Sequence, residues 1–506
     1  MGVLGDMFVK RAVVLVAALV ASVVGASTAQ AAAPDWESSP VRAKWQALGG
    51  ASFAGEKVGD EVVLANGIRW AEFSKYDIVI TWRESAGAHW MSGAISRLWL
   101  TTKPAVAAAT MDQVPLSRGG EAGAAIAYDT DYSVYYSDLY GAFPISGEER
   151  DAYWRNGSVY GVFGWPVSGP LATPSRPGGV EQRFSQAVST FRQPGGPARW
   201  ISGALRDKFR EIGGPGGPDG NSLWLAYDQT AQPGNGWNVP LFGTGGIYWS
   251  PETGARLLDA GAYNKYVSLD GPYGSFGYPM TDTYHAGNGT TRGTVTDFAR
   301  NASIYKGPGV THEVYLDKAM RAEYVRNGGP QGYLDWPQID PTPAPGTDGR
   351  YSLFGQARNT ALLSGPRTGT HFVVEDFLTP LRRGGDVAVY GLPQTDRLFT
   401  GNYSFQQFER ATLFNSGAAV TTLGWTWRDI WWQLGGTGSV LGMPISNVHA
   451  VTPDVEGQDF EDGWIAYYTD VDEWYWGTGK AQAGLSLEKA REIGTRIHAR
   501  TYSPRN

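Results

Sequence analysis

The sequence predicts a β-rich α+β tandem repeat: about eight helix-plus-β-hairpin units, curved into a propeller-like ring or arc. The first observation is a phrase of the form apolar-Gly-aromatic-Pro, whose closing residue falls at Glu61, Pro115, Pro166, Ala226, Pro279, Pro337, Pro393 and Pro444. The intervals are roughly 50–60 residues. The second is an aromatic residue four positions before a glycine, running in phase with that phrase, as in Trp45 and Gly49, Tyr153 and Gly157, Phe209 and Gly213, Tyr324 and Gly328, Trp431 and Gly435. The third is that a helix and a hairpin alone cannot bury their apolar faces, so the copies must stack into one quasi-continuous array. Ring closure would remove the exposed edges that an open β array leaves.

Each copy begins with a helix. In 203–214, Leu205, Phe209 and Ile212 share one face, and Gly213 stands where a helix takes its left-handed stop. The Gly-x-Pro phrase then reads as a turn, because Gly supplies positive φ and Pro cannot continue a ladder. Extended segments follow at 296–298, 301–305 and 310–315, where alternation and β-branched or aromatic content indicate a hairpin. The copies divide as 40–93, 94–145, 146–202, 203–260, 261–315, 316–373, 374–424 and 425–484. Segments 170–179 and 340–349 are Pro/Gly/Thr-rich surface loops, and 101–121 is the least regular region. In the tail 485–506, Leu487, Ala490, Ile493 and Ile497 mark an amphipathic face that reads as a cap over the last repeat, with a membrane-surface helix as the alternative.

The phrases Val162-Phe163-Gly164-Trp165-Pro166, Ser275-Phe276-Gly277-Tyr278-Pro279, Tyr390-Gly391-Leu392-Pro393 and Val440-Leu441-Gly442-Met443-Pro444 resemble the LGFP repeat, with Gly246-Ile247-Tyr248-Trp249-Ser250-Pro251 as a second signature. The LGFP repeat is a tandem module of secreted actinobacterial proteins. The resemblance covers nearly all of the chain after its leader and implies cyclic packing and attachment to a mycobacterial or corynebacterial type of wall. The first, second and fourth copies depart at the proline phrase, and the sixth reads Leu334-Asp335-Trp336-Pro337.

Residues 1–31 read as a secretory signal: Lys10 and Arg11 precede an apolar run from Ala12 to Val24, and Ala29-Gln30-Ala31 offers a small-x-small cleavage site. Met7 is an equally good start. No later stretch approaches the apolar length of a membrane span. The formal charge is −7, and removal of Lys10, Arg11 and Asp6 with the leader makes it one unit more negative, which argues against nucleic acid. Cysteine is absent, which excludes disulfides, Cys-bound metal and a lipoprotein anchor. The C-terminal 501–506 has neither an apolar tail nor a sorting motif, so retention at a surface is expected to come from binding.

No catalytic signature is present: there is no Gly-x-Ser-x-Gly, His-Glu-x-x-His, phosphate-binding Gly-Lys-Ser/Thr loop or Ser-x-x-Lys. No cofactor or metal is expected. His89, His285, His312, His371, His449 and His498 read as scattered surface histidines, and the calcium-like start Asp129-Thr-Asp131 lacks the later glycine and acid. Aromatic residues are abundant, with 20 Trp, 26 Tyr and 19 Phe. Most are core, but Trp82, Tyr248, Trp249, Tyr305, Trp464, Tyr468 and Trp474 sit beside polar residues or turns and are candidates to stack on sugar rings. Three residues after the proline stand Asp282, Asp340, Asp396 and Asn447, which either bond the local turn or offer a polar group to a glycan once per repeat. The expected function is non-catalytic binding of cell-wall polysaccharide of peptidoglycan or arabinogalactan type, outside the cell. The alternatives are an extracellular hydrolase acting on the envelope and a protein-binding adhesin or scaffold.

Overall fold

The computed structural model describes residues 35–102, 107–173, 177–216, 223–243, 245–287, 292–383, 385–480 and 486–497, so the leader 1–31 and the end of the tail lie outside the described residues. The described chain is β-rich and holds eight antiparallel sheets, seven of four strands and one of five. Within each sheet successive strands are neighbours, with one exchange of direction per turn. A short helix precedes each sheet: Pro40–Ala47, Gly93–Thr102, Gly147–Arg155, Gly203–Glu211, Ala260–Ser268, Lys318–Arg326, Glu375–Arg383 and Trp425–Gln433.

The expected hairpin is therefore corrected to a four-stranded meander. In the fifth repeat the strands are Tyr284–Ala286, Gly293–Phe298, Ala302–Lys306 and Val314–Asp317. The extra first strand is three residues long and largely exposed. Such a strand shows too little alternation to register as one in the sequence, and it is recruited only because its neighbour's edge needs hydrogen-bond partners.

The chain divides into two compact units, with the boundary between Asp228 and Gln229. The first holds the sheets over residues 57–91, 114–146 and 171–202; the second holds the other five. In the second unit the helices Ala260–Ser268, Lys318–Arg326, Glu375–Arg383 and Trp425–Gln433 each pack between the preceding sheet and their own. In the second unit, for example, Val295, Tyr305 and Leu316 meet Met320 and Tyr324 from the helix, then Phe354 and Leu362 from the next sheet. Burial of each such side chain stabilises by about 1.5–3 kcal/mol.

The two sequence markers turn out to be one physical device. The helix aromatic places its polar end on the carbonyl of the left-handed residue two before the proline: Tyr153 Oη donates to Gly164 O (2.8 Å), Tyr266 Oη to Gly277 O (2.5 Å), Tyr324 Oη to Asp335 O (2.7 Å) and Trp431 Nε1 to Gly442 O (3.1 Å). The φ values at these acceptors are +71°, +70°, +60° and +73°. The proline then bridges to the aromatic that ends the second strand, as Pro166 to Phe184, Pro279 to Phe298 and Pro337 to Phe354. This locates the phrase correctly in the irregular copies. In the first, Trp45 Nε1 donates to Gly55 O (3.0 Å), so the phrase lies at 53–57 and not at Glu61. In the second, Trp99 donates to Ala107 O (3.3 Å) and Ala109 bridges to Tyr128, so Ala109 stands where Pro115 was expected to.

The helix Leu487–Ile493 buries Ala490 against the eighth sheet, and Thr495–Ile497 adds a fifth strand to it beside Glu473–Thr478. No helix of the described residues is long and apolar enough to cross a membrane.

Candidate functional site

Four of the seven aromatic candidates are core residues. Tyr248, Tyr305, Trp464 and Tyr468 are each at most 2 % exposed. Burial pushes the phenols of Tyr305 and Tyr468 up to about 12. Tyr248 and Tyr305 lie on the third strands of their sheets and meet the next helix edge-to-face: Tyr248 on Tyr266 with centroids 5.1 Å apart, Tyr305 on Tyr324 at 5.3 Å. The same pair recurs as Tyr135 on Tyr153, Phe191 on Phe209 and Phe414 on Trp431. A polar neighbour in sequence does not expose a strand residue, because alternate residues face opposite sides. Trp82 and Trp249 are half-buried, Trp82 with the Arg69 guanidinium 6.0 Å from its ring.

The periodic acids have a role that neither reading of them foresaw. Asp282 accepts the Leu257 N–H (2.9 Å), Asp340 that of Tyr315 (3.0 Å), Asp396 that of Phe372 (3.3 Å) and Asn447 that of Thr422 (2.7 Å). Each donor belongs to the last strand of the preceding sheet, so the side chain clamps one repeat to the one before it. Asp112 on Trp90 N–H (3.3 Å) and Asp228 on Trp200 N–H (2.9 Å) do the same in the second and fourth copies. Second partners close several clamps. Lys44 reaches Asp112 at 2.7 Å and Lys265 reaches Asp340 at 2.5 Å. Burial alone would raise the Asp112 carboxyl; Lys44, the Trp90 N–H and His89 outweigh it and hold the group below its ordinary range. His89 and His371 are therefore not scattered. Each places Nδ1 on the clamp acid (3.2 and 3.1 Å) and Nε2 on a carbonyl three residues earlier (both 3.0 Å). The calcium-like acids are also committed: Asp129 pairs with Arg83 and accepts the Ala108 N–H (2.9 Å). No group of acids and histidines suited to a metal ion occurs among the described residues.

Two of the candidate residues come together, at a cleft of about 510 Å³ in the second unit. Asn447 and Trp474 line it, with Tyr390, Trp425, Trp427 and Tyr467, and the polar groups Arg410, Thr422 and Glu456. Tyr467 stacks on Trp474 (4.4 Å, 20°), and Trp427 meets Trp474 edge-on (4.9 Å, 76°). Arg410 donates to Ala388 O (3.0 Å) and holds its guanidinium 5.6 Å from the Trp425 ring. Asn447 is part of the cleft lining, whereas Asp112, Asp228, Asp282, Asp340 and Asp396 hold the equivalent position in five other copies and Gly169 in the third. The Asn447 side-chain oxygen accepts the Thr422 N–H (2.7 Å), and the amide nitrogen is a donor that a carboxylate at this position would lack.

Trp425 is the residue that the periodic reading missed. It opens the helix Trp425–Gln433 at a position where the equivalent residues are Gly93, Gly147, Gly203 and Lys318. All five have positive φ, and all five N–H groups donate to a carbonyl of the preceding sheet, at 2.8–3.1 Å. For any residue but glycine this conformation costs about 1–2 kcal/mol. Trp425 adopts it at φ +33° with its side chain 54 % exposed. The available signal was the departure from period: Trp425 stands where three of the four equivalent positions hold glycine, within the stretch Gly424-Trp-Thr-Trp427.

A second surface recurs. The residue after each core aromatic and the residue four before the proline are exposed and apolar in several copies: Trp154 and Val162, Val325 and Tyr333, Trp432 and Val440.

No family model and no curated protein matches the chain. Among solved structures it is similar to virginiamycin B lyase from Staphylococcus aureus, at 11% identity over 69% of this chain and 90% of that one, with a TM-score of 0.11. It is also similar to apo AztD from Citrobacter koseri, at 10% identity over 84% and 88%, with a TM-score of 0.11, and to a streptogramin B lyase at 9% identity over 70% and 91%, with a TM-score of 0.10. Likenesses of this size carry no argument about what the chain binds or catalyses.

Proposed function

We propose that the protein is a non-catalytic, extracellular binder of cell-wall glycan, of peptidoglycan or arabinogalactan type, retained at an actinobacterial wall by repeated weak contacts. The observation that carries this reading is the aromatic cleft: stacked and edge-on rings of Tyr467, Trp474 and Trp427, with the exposed Trp425, surround Arg410, Asn447 and Glu456. Rings present apolar faces for the C–H side of a sugar, and a few convergent polar groups take its hydroxyls. A single millimolar site supplies only about 4 kcal/mol. Several on one chain raise avidity by roughly 10²–10⁴-fold when geometry lets them engage together.

The LGFP resemblance, export by the signal at 1–31 and a propeller-like ring or arc of the eight repeats belong to this proposal. Small-angle scattering tests the last of these, since two independently tumbling bodies overturn it. Among the described residues lining the cleft, Glu456 is the one acid, whereas hydrolysis by the two-carboxylate route needs a pair. The exposed apolar positions at Trp154, Val162, Tyr333 and Val440 favour, as a second reading, a protein-binding scaffold. The test of the first reading is sedimentation of the mature protein with purified wall, before and after stripping of arabinogalactan or peptidoglycan. Equal recovery in the supernatant with and without wall overturns it. Capture of a protein partner from cells stripped of wall glycan supports the second reading.

A further inference from the structure

We propose that Trp425 is a dedicated sugar-stacking residue, kept in a left-handed backbone at a cost to fold stability, so that the cleft of the eighth repeat takes the C–H face of a pyranose or furanose ring. The proposal rests on the glycan-binding reading above and assigns its specificity to one residue.

The argument starts from the junctions. Gly93, Gly147, Gly203, Lys318 and Trp425 make the same turn from sheet to helix, with φ of +61°, +55°, +53°, +47° and +33°. A Cβ added at Gly93, Gly147 or Gly203 would meet open space, so glycine is there for its backbone freedom and not for lack of room. A bulky aromatic at such a φ is an outlier, and outliers of this kind persist where surrounding structure and function hold them. Packing of the ring into a core is not what holds Trp425, since 54 % of it is exposed. Instead Trp425 lines the cleft together with Trp427 and Trp474, with the Arg410 guanidinium over its ring at 5.6 Å. An exposed indole, the edge-on pair of Trp427 and Trp474 and a guanidinium in one lining suit a sugar ring that stacks on Trp425 and gives its hydroxyls to Arg410, Asn447 and Glu456.

The proposal predicts opposite signs for stability and binding. In the full mature chain, Trp425→Gly raises Tm by about 2 °C or more and lowers affinity for soluble arabinogalactan or peptidoglycan fragments at least about tenfold, measured by calorimetric titration. The two fragment classes, titrated separately, identify the source of the ring. Lys318→Gly relieves the same backbone conformation away from the cleft, so it raises Tm and leaves affinity unchanged. Trp425→Phe keeps Tm and retains part of the binding. Wild type that binds neither fragment class overturns the glycan reading and this proposal with it. Wild type that binds while Trp425→Gly binds equally well overturns this proposal alone. So does a fall in Tm for Trp425→Gly, or no rise for Lys318→Gly.

Discussion

The seam before the sixth repeat and the seam before the eighth use the same atom in the same place and differ in what surrounds it. At the first, Asp340 accepts the Tyr315 N–H with one oxygen and holds Lys265 with the other, so the carboxylate is fully engaged. At the second, Asn447 accepts the Thr422 N–H and belongs to the lining of a cleft of about 510 Å³. A position that keeps the period in most repeats reports how neighbouring repeats pack. A departure at that position reports what one repeat does alone.

Breaking what the seams share should produce the largest effects. Trp431 is fully buried, meets Phe414 edge-to-face and donates to Gly442 O, so Trp431→Ala removes the core and the polar tie of the eighth repeat together. A loss of about 3–5 kcal/mol is expected, read as an early transition in chemical denaturation. Asp340→Ala comes next. It leaves the Tyr315 N–H and Lys265 without their acceptor, and hydrogen bonds to a charged group contribute about 1.5–3 kcal/mol each. Denaturation midpoints of Asp340→Ala and Asp340→Asn separate the charge from the hydrogen bond, since the amide keeps the N–H acceptor and loses Lys265.

Asn447→Asp sharpens the comparison from the other side. The variant restores the residue type of the other clamps, so stability should change by less than about 0.5 kcal/mol. Wall binding should weaken, because an amide in the cleft lining is replaced by an acceptor-only carboxylate in a lining that already holds Glu456. Unchanged affinity would show that Asn447 is only a clamp.

The smallest expected effect is that of pH at the Asp112 clamp. Burial raises this carboxyl, but Lys44, the Trp90 N–H and His89 bring it below its ordinary range. A folded-state value lower than the unfolded one contributes stability that is present above the unfolded value and lost as pH falls through the folded one. Stability of wild type should therefore drop more than that of Asp112→Asn below about pH 4, and the two should run parallel at neutral pH. Parallel curves throughout would show that the clamp carries no charge-dependent stability.

Much of the architecture was legible in the chain itself, for a physical reason. A helix aromatic, a glycine four residues on and a Gly-x-Pro phrase form one hydrogen-bonded device within about a dozen residues, so its parts recur in step and can be read without knowing the fold. Eight sheets and a β-rich chain followed from that count. The added first strand of the sheets did not, because one such as Tyr284–Ala286 is a short, exposed edge whose pairing is set by a neighbour and not by its own pattern.

The site was less legible. Tyr248 and Tyr305 looked like platforms from their polar neighbours, yet they are the rings that join one repeat to the next helix. Asp282, Asp340 and Asp396 were recognised as periodic, but their partners lie 24–25 residues earlier on a different sheet. Tertiary structure alone decided these roles, since exposure and hydrogen-bond partners arise only when strands choose their faces and repeats stack. It also decided that Tyr390, Arg410, Trp425, Glu456 and Trp474, spread over some 80 residues and bound by no common motif, would line one cleft.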